Sequence, residues 1–151
     1  MQELPILLPI RRATPGDAQA LTNLMHASAA YAGNYASILN GYAITSEQID
    51  KDIIYLAERD GLLAGFYSLT LESEPELDLM FIADNAQGIG LGALLFRHMR
   101  AEAKSRNIRE VKIVSHPPAV GFYQKMGATI VGTKLPTTKA PWEQPILTLV
   151  I

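Results

Sequence analysis

The chain has 151 residues, 48% of them hydrophobic and 19% charged, a composition that supports a buried core and excludes an intrinsically disordered polymer. A formal net charge of −2 gives no long-range attraction to nucleic acid, and the absence of cysteine excludes disulfides, thiolate metal sites and cysteine nucleophiles. The apolar stretch 4–10 is broken by Pro5 and Pro9 and is too short to span a membrane, so one cytoplasmic domain with no membrane anchor is the expectation.

Residues 7–12 read as a first strand. Thr14-Pro15-Gly16-Asp17 then offers a capping hydroxyl, a proline suited to the first helical turn and an early carboxylate, so a helix begins there. Leu21, Leu24, Met25 and Ser28 recur at helical spacing on its inner face, and Gly33 is its expected limit. Residues 31–42 carry Tyr31, Tyr35 and Tyr42 among glycines, which suits a flexible wall of a substrate site. Thr45-Ser46-Glu47-Gln48 caps a second, short helix.

The runs 53–58 and 62–71 are apolar strands joined by Arg59-Asp60-Gly61, whose Asp-Gly pair favours a tight hairpin. A fourth strand follows the turn at Ser73-Glu74-Pro75. Strict alternation puts Leu77, Leu79 and Phe81 on one of its faces and Glu76, Asp78, Met80 and Ile82 on the other. Leu91, Leu95, Met99 and Ala103 mark a third helix running to about Arg106, with Lys104 and Arg106 at its negative end. A fifth strand spans 111–115. Pro117 opens another helix with Ala119, Phe122 and Met126 as its apolar stripe and Gly127 as its cap. Strands at 129–131 and 146–151 close the chain.

Between the fourth strand and the third helix lies Gln87-Gly88-Ile89-Gly90-Leu91-Gly92-Ala93. Glycines let a backbone approach phosphate, and the first N–H groups of a helix have no partner within it, so this is an anion site in principle. A Walker A loop needs Lys and then Ser or Thr after its last glycine, whereas Ala93-Leu94-Leu95 follows Gly92. A Rossmann reading is nearer, because Gly88, Gly90 and Ala93 satisfy a permissive fingerprint. It wants an acidic residue at the end of the next strand, where Ser115 and His116 stand.

The spacing Gln87-x-x-Gly90-x-Gly92 resembles the acetyl-CoA signature of the GNAT superfamily of N-acetyltransferases. Pro117-Pro118-Ala119-Val120-Gly121-Phe122-Tyr123-Gln124-Lys125-Met126-Gly127-Ala128 resembles that superfamily's downstream Ala-x-x-Phe-Tyr-x-x-x-Gly element. The resemblance implies an α/β (α+β) GNAT fold, a mixed, mostly antiparallel sheet of six to seven strands flanked by about four helices. It implies acetyl transfer from acetyl-CoA to a primary amine of a small molecule or protein. Gln87, Gly88, Ile89, Gly90, Leu91, Gly92 and Ala93 would contact the pyrophosphate, and main-chain groups of Phe81, Ile82 and Ala83 the pantetheine arm, like an added strand. His116 and Phe122 fall beside the cofactor, although many members carry Asn where Ser115-His116 stands.

Tyr123 matches the tyrosine that often protonates the leaving thiol in this superfamily. Glu76, in an acidic stretch that suits a cationic amine, is the candidate base, with His116 as the alternative at neutral pH. Tyr31, Tyr35 and Trp142 are expected to shape the acceptor pocket, with Tyr42 beside them. No pair of histidines has metal-ligand spacing, so no metal is expected. The competing reading is a catalytically silent acyl-CoA sensor or interaction protein of the same fold. A homodimer is in keeping with the many relatives that pair through sheet edges or C-terminal strands.

Overall fold

The computed structural model describes residues 8–28 and 33–151. Strand β1 (Ile10–Arg12) leads through a 3-10 turn (Pro15–Asp17) into helix α1 (Ala18–Ala27). Asp17 organises this entry. Its carboxylate accepts from the Thr14 N–H at 2.8 Å and from two Arg11 guanidinium nitrogens at 2.9 Å each. The helix stops at Ala27, short of Gly33, and a 3-10 segment (Gly33–Leu39) carries the tyrosine-containing stretch onward.

Helix α2 (Ser46–Lys51) begins where Thr45 Oγ1 accepts the Gln48 N–H at 3.1 Å, so the expected cap is formed. Thr45→Ala is expected to cost about 1 kcal/mol, read as a lower denaturation midpoint in urea. An unchanged midpoint would show that the cap contributes nothing.

Strands β2 (Ile53–Arg59) and β3 (Leu62–Thr70) form the predicted hairpin. Asp60 and Gly61 both take positive φ, 54° and 77°, as a two-residue turn of the right twist requires. Strand β4 (Glu76–Ile82), helix α3 (Leu91–Ser105), strand β5 (Glu110–Val114), helix α4 (Val120–Lys125) and strands β6 (Thr129–Lys134) and β7 (Gln144–Val150) complete the chain. The seven strands make one sheet in the order β1-β2-β3-β4-β5-β7-β6. Every neighbouring pair is antiparallel except β4 and β5.

The helices sit in two layers. On one face Leu91, Leu95, Phe96 and Met99 of α3 pack against Tyr67, Leu69, Val111, Ile113, Leu147 and Leu149 of the sheet. On the other, Leu21 and Met25 of α1 and Ile49 of α2 cover Ile54, Leu56, Phe66 and Phe81. The periodicities of 3.6 and 2 in the sequence are the record of these two buried faces.

Strand β4 departs from strict alternation. Leu69 pairs with Leu77, yet the preceding residue Ser68 pairs with Leu79, so Asp78 is an extra residue, a β-bulge. The bulge reverses the parity of the strand. Leu77 belongs to the α3 side with Met80 and Ile82, whereas Leu79 and Phe81 belong to the α1 side. The expected grouping of Leu77 with Leu79 and Phe81 is therefore corrected.

Strands β4 and β5 register at one pair, Glu76 with Lys112, supported by the Lys112 N–H donating to the Pro75 carbonyl at 2.9 Å. Beyond it no further pair forms among the described residues, and a cavity opens between the C-terminal halves of the two strands.

Candidate active site

Two cavities meet at this split. The first, of about 390 Å³, is bounded by Met80, Phe81 and Ile82 of β4, the glycine segment, and Ala119, Phe122 and Tyr123. Its lining contains no Lys or Arg, so an anion there meets main-chain donors and a helix end. Gly90, at φ 83°, is the N-cap of the 15-residue α3, and Leu94 is the residue whose N–H first returns to it, at 3.1 Å. The N–H groups of Leu91, Gly92 and Ala93 precede that first helical bond and sit at the positive end of the helix dipole. Gly88 is also left-handed, at φ 78°, and open space lies where its Cβ would stand.

The residues of this segment differ in position. Gln87, Gly88, Gly90, Leu91, Gly92 and Ala93 line the cavity. Ile89 does not. It packs against the α3-side core. The Gln87 amide donates to the Ile82 carbonyl at 3.1 Å and ties the loop to the end of β4. A Cβ on Gly92 would lie 3.5 Å from the Phe122 ring, an ordinary van der Waals contact, so the packing of α3 on α4 does not itself demand glycine there. Phe122 stands edge-on to Phe96 at 6.0 Å, which makes it the floor beneath the glycines. Ala83 lies outside the lining, and its N–H is already given to the Ala64 carbonyl at 2.8 Å.

The second cavity, of about 640 Å³, extends from the split over the face of β5, β7 and β6, under Ile38, Leu39 and Tyr42. Met80, Phe81, His116 and Tyr123 line both cavities, so the two adjoin there. His116 is buried at the end of β5, and Tyr35 meets it edge-on at 5.5 Å. Trp142 meets Tyr35 edge-on at 4.9 Å. Tyr35 and Trp142 thus buttress His116 from behind and are not themselves in the lining, while Tyr31 lies outside the described residues.

Glu76 and Asp78 supply the acidic wall. Asp78 is solvent-exposed at the cavity mouth, with neighbouring protein close enough to displace part of its hydration. This desolvation, with the charges of Glu76 and Asp52, pushes its carboxyl up to about 6, and Lys51 only partly offsets the rise. Tyr42 nearby is also raised, chiefly by burial, while the Gln48 amide donates to its hydroxyl at 2.8 Å. Sequence reasoning placed Asp78 beside Glu76 but assigned it no role, because nothing in the residue string marks a bulge. Met80 and the cavity lysines were missed altogether; they carry no motif. Among the described residues no group of three His, Asp or Glu is disposed to hold a metal ion, and no helix is long and apolar enough to cross a membrane.

The geometry has counterparts among known proteins. Residues 26–134, more than half of the chain, match the acetyltransferase (GNAT) domain family. The chain is 34% identical over 89 residues to the 5-NmdU N-acetyltransferase of Pseudomonas phage PaMx11; the matched stretch is 57% of this chain and 64% of that enzyme, a little under two thirds of its length. A GCN5-related N-acetyltransferase from Rhodopseudomonas palustris superposes over 100% of both chains with a TM-score of 0.84 at 17% identity. A GNAT family acetyltransferase from Elizabethkingia anophelis with acetyl-CoA bound covers 70% of this chain and 80% of its own, with a TM-score of 0.59 at 20% identity. The seven-stranded mixed sheet with four α-helices is the architecture shared with such neighbours, and the chain belongs to the GNAT family of acetyltransferases.

Proposed function

We propose that the protein moves an acetyl group from acetyl-CoA directly to a primary amine. The observation that carries this reading is the meeting of the two cavities at Met80, Phe81, His116 and Tyr123, one ending in main-chain anion donors and the other in a carboxylate wall. The residues present suit the cofactor. Glycines without Cβ atoms at 88 and 90 leave room for a pyrophosphate against free N–H groups, and the split beside β4 offers an unpaired strand edge to an amide-bearing arm. The bound neighbour from Elizabethkingia anophelis supports the same assignment.

Acetyl-CoA bound there would supply an acyl group already activated as a thioester. The chain's own groups then handle protons and charge. Asp78 and Glu76 attract the acceptor ammonium, and Asp78, raised toward neutrality, takes its proton so that the nitrogen lone pair is free. With acetyl-CoA bound, the Tyr123 hydroxyl would give a proton to the sulfur that leaves as the thioester's C–S bond is exchanged for the amide's C–N bond. Main-chain N–H groups near the bulge of β4 polarise the carbonyl without any special side chain. Glu76 remains the second candidate for proton acceptor, and its charge is one cause of the raised Asp78 value.

Calorimetric titration with acetyl-CoA, followed by free-thiol release across a panel of amines, tests the reading. Absence of binding overturns it, and binding without turnover for any amine identifies an acyl-CoA sensor instead. Tyr123→Phe is expected to lower kcat about 10²-fold with acetyl-CoA affinity nearly kept, the signature of a lost general acid. Equal loss of cofactor affinity would reduce Tyr123 to a packing group.

A further inference from the structure

The larger cavity has a second chemical end. Opposite the carboxylates of β4 its walls carry Lys112 on β5, Lys134 at the end of β6 and Lys139 in the hairpin between β6 and β7. Lys112 is spoken for, with its Nζ 3.0 Å from Glu74. Among the described residues no carboxylate lies within ion-pair distance of Lys134 or Lys139. The hairpin is held over the site, because Ser37 Oγ donates to the Lys139 carbonyl at 2.6 Å and Thr137 and Ala140 exchange bonds of 2.8 and 3.1 Å. Two exposed lysines thus border a concave space with no carboxylate within ion-pair distance among the described residues. Such a field concentrates anions.

The sheet separates the two ends. In the order β4-β5-β7-β6, Lys134 and Asp78 are separated by two paired spacings of ~4.8 Å and by the wider split between β4 and β5, so their backbones stand more than about 14 Å apart before the side chains reach inward. The cavity's volume of about 640 Å³ suits a small molecule bridging that gap.

Resting on the acetyl-transfer reading, we infer that the acceptor is a small amine that also carries an anionic group, a carboxylate or a phosphate, with its nitrogen at Asp78 and its anion at Lys134 and Lys139. The opposite class, a dicationic amine, would need acidic groups at both ends. A shallower acidic recess does adjoin Asp78, lined by Glu47, Asp52 and Glu72, but it shares no residue with the donor cavity, and Glu72 is already paired with Lys51 at 3.2 Å.

The test uses matched acceptors with the full chain and acetyl-CoA: 4-aminobutyrate against butylamine, phosphoethanolamine against ethanolamine, and 1,4-diaminobutane as the dication. The anionic member of at least one pair is expected to show a kcat/KM at least tenfold higher, mainly through KM. Whichever pair shows the larger ratio distinguishes carboxylate from phosphate. Lys134→Met and Lys139→Met are each expected to reduce the anionic-over-neutral ratio about tenfold. A ratio near one, a preference for the diamine, or ratios that both variants leave intact would overturn the inference. Thermal-shift titration of the same amines in the presence of CoA reads binding without turnover. Selective stabilisation by anionic amines that Lys134→Met abolishes upholds the site even if no acetyl transfer occurs, and lack of selectivity there overturns the site alone.

Discussion

Asp78→Asn is expected to lower kcat/KM at neutral pH by about 10²- to 10³-fold, the range supplied by a positioned general base. The wild-type rate should climb through an apparent pKa near 6 as the Asp78 carboxyl ionises, and the variant should lose that limb. Glu76→Gln provides a second check. Removing a negative neighbour relaxes one cause of the raised value, so the acid limb should move to lower pH. An Asp78→Asn enzyme with an unaltered pH profile would return the proton to Glu76 or to water.

The same substitution should not destabilise the protein. Asp78 titrates near 6 when folded against an ordinary 3.8, so folding takes up a proton between those values. Its favourable contribution is complete below 3.8 and is lost as pH rises through about 6; because Asp78 is solvent-exposed, solvent screens the charge and the penalty left at pH 7 is small. Asparagine removes that charge. Thermal melts should therefore give Asp78→Asn a Tm at or above wild type at pH 7, with the advantage closing on acidification. Reduced activity with undiminished stability would separate chemistry from misfolding, and it is the pattern of a residue held at its site against the preference of the fold.

Gly65→Ala should produce the larger effect on stability. Gly65 is buried in the middle of β3, and a Cβ there would stand 2.9 Å from the Phe81 carbonyl oxygen, 3.0 Å from Ile82 Cδ1 and 3.1 Å from Leu95 Cδ1. The methyl ends of Ile82 and Leu95 can shift, but the carbonyl belongs to the backbone of the neighbouring strand. Relief requires β4 to move. Overpacking of this kind costs about 1–3 kcal/mol, or roughly 4–8 °C in Tm for a chain of this size if 2 kcal/mol is lost. Because Phe81 and Ile82 line the donor cavity, acetyl-CoA affinity should fall as well. A Tm within 1 °C of wild type, taken as roughly the level of no effect, would mean that β4 has more freedom than its pairing implies.

Much of this molecule can be read from local chemistry. The Asp60-Gly61 hairpin, the Thr45 cap, the 3.6-residue stripe from Leu91 to Ala103 and the Gly127 terminus of α4, at φ 104°, each depend on residues within one turn or one helix of one another. The glycine segment is of the same kind, because left-handed backbone at Gly88 and Gly90 and unbonded N–H groups at a helix start are properties of a few consecutive residues. The glycine-lined half of the proposed site was therefore legible as a motif. Boundaries were less so. Strand β6 continues to Lys134, past the expected 131, because its pairing with β7 extends to Gln144.

The acceptor half depends on contacts between distant segments. Whether β4 keeps strict alternation is settled by its register against β3, and the bulge at Asp78 moves Leu77 and Leu79 to opposite faces. The rise in the Asp78 carboxyl depends on partial desolvation by neighbouring protein and on the charges of Glu76 and of Asp52, 26 positions away in the chain. Tyr35 and Trp142 share a chemistry that suggested pocket walls; only the closed fold sets the Tyr35 ring edge-on to both His116 and Trp142. Lys134 and Lys139 look like ordinary surface charge until the order β4-β5-β7-β6 sets them across a cavity from two carboxylates. Backbone conformation and hydrogen-bonding capacity act over a few residues, so local pattern specifies them; burial, register and the field at a carboxylate sum over the whole fold and exist only once it has closed.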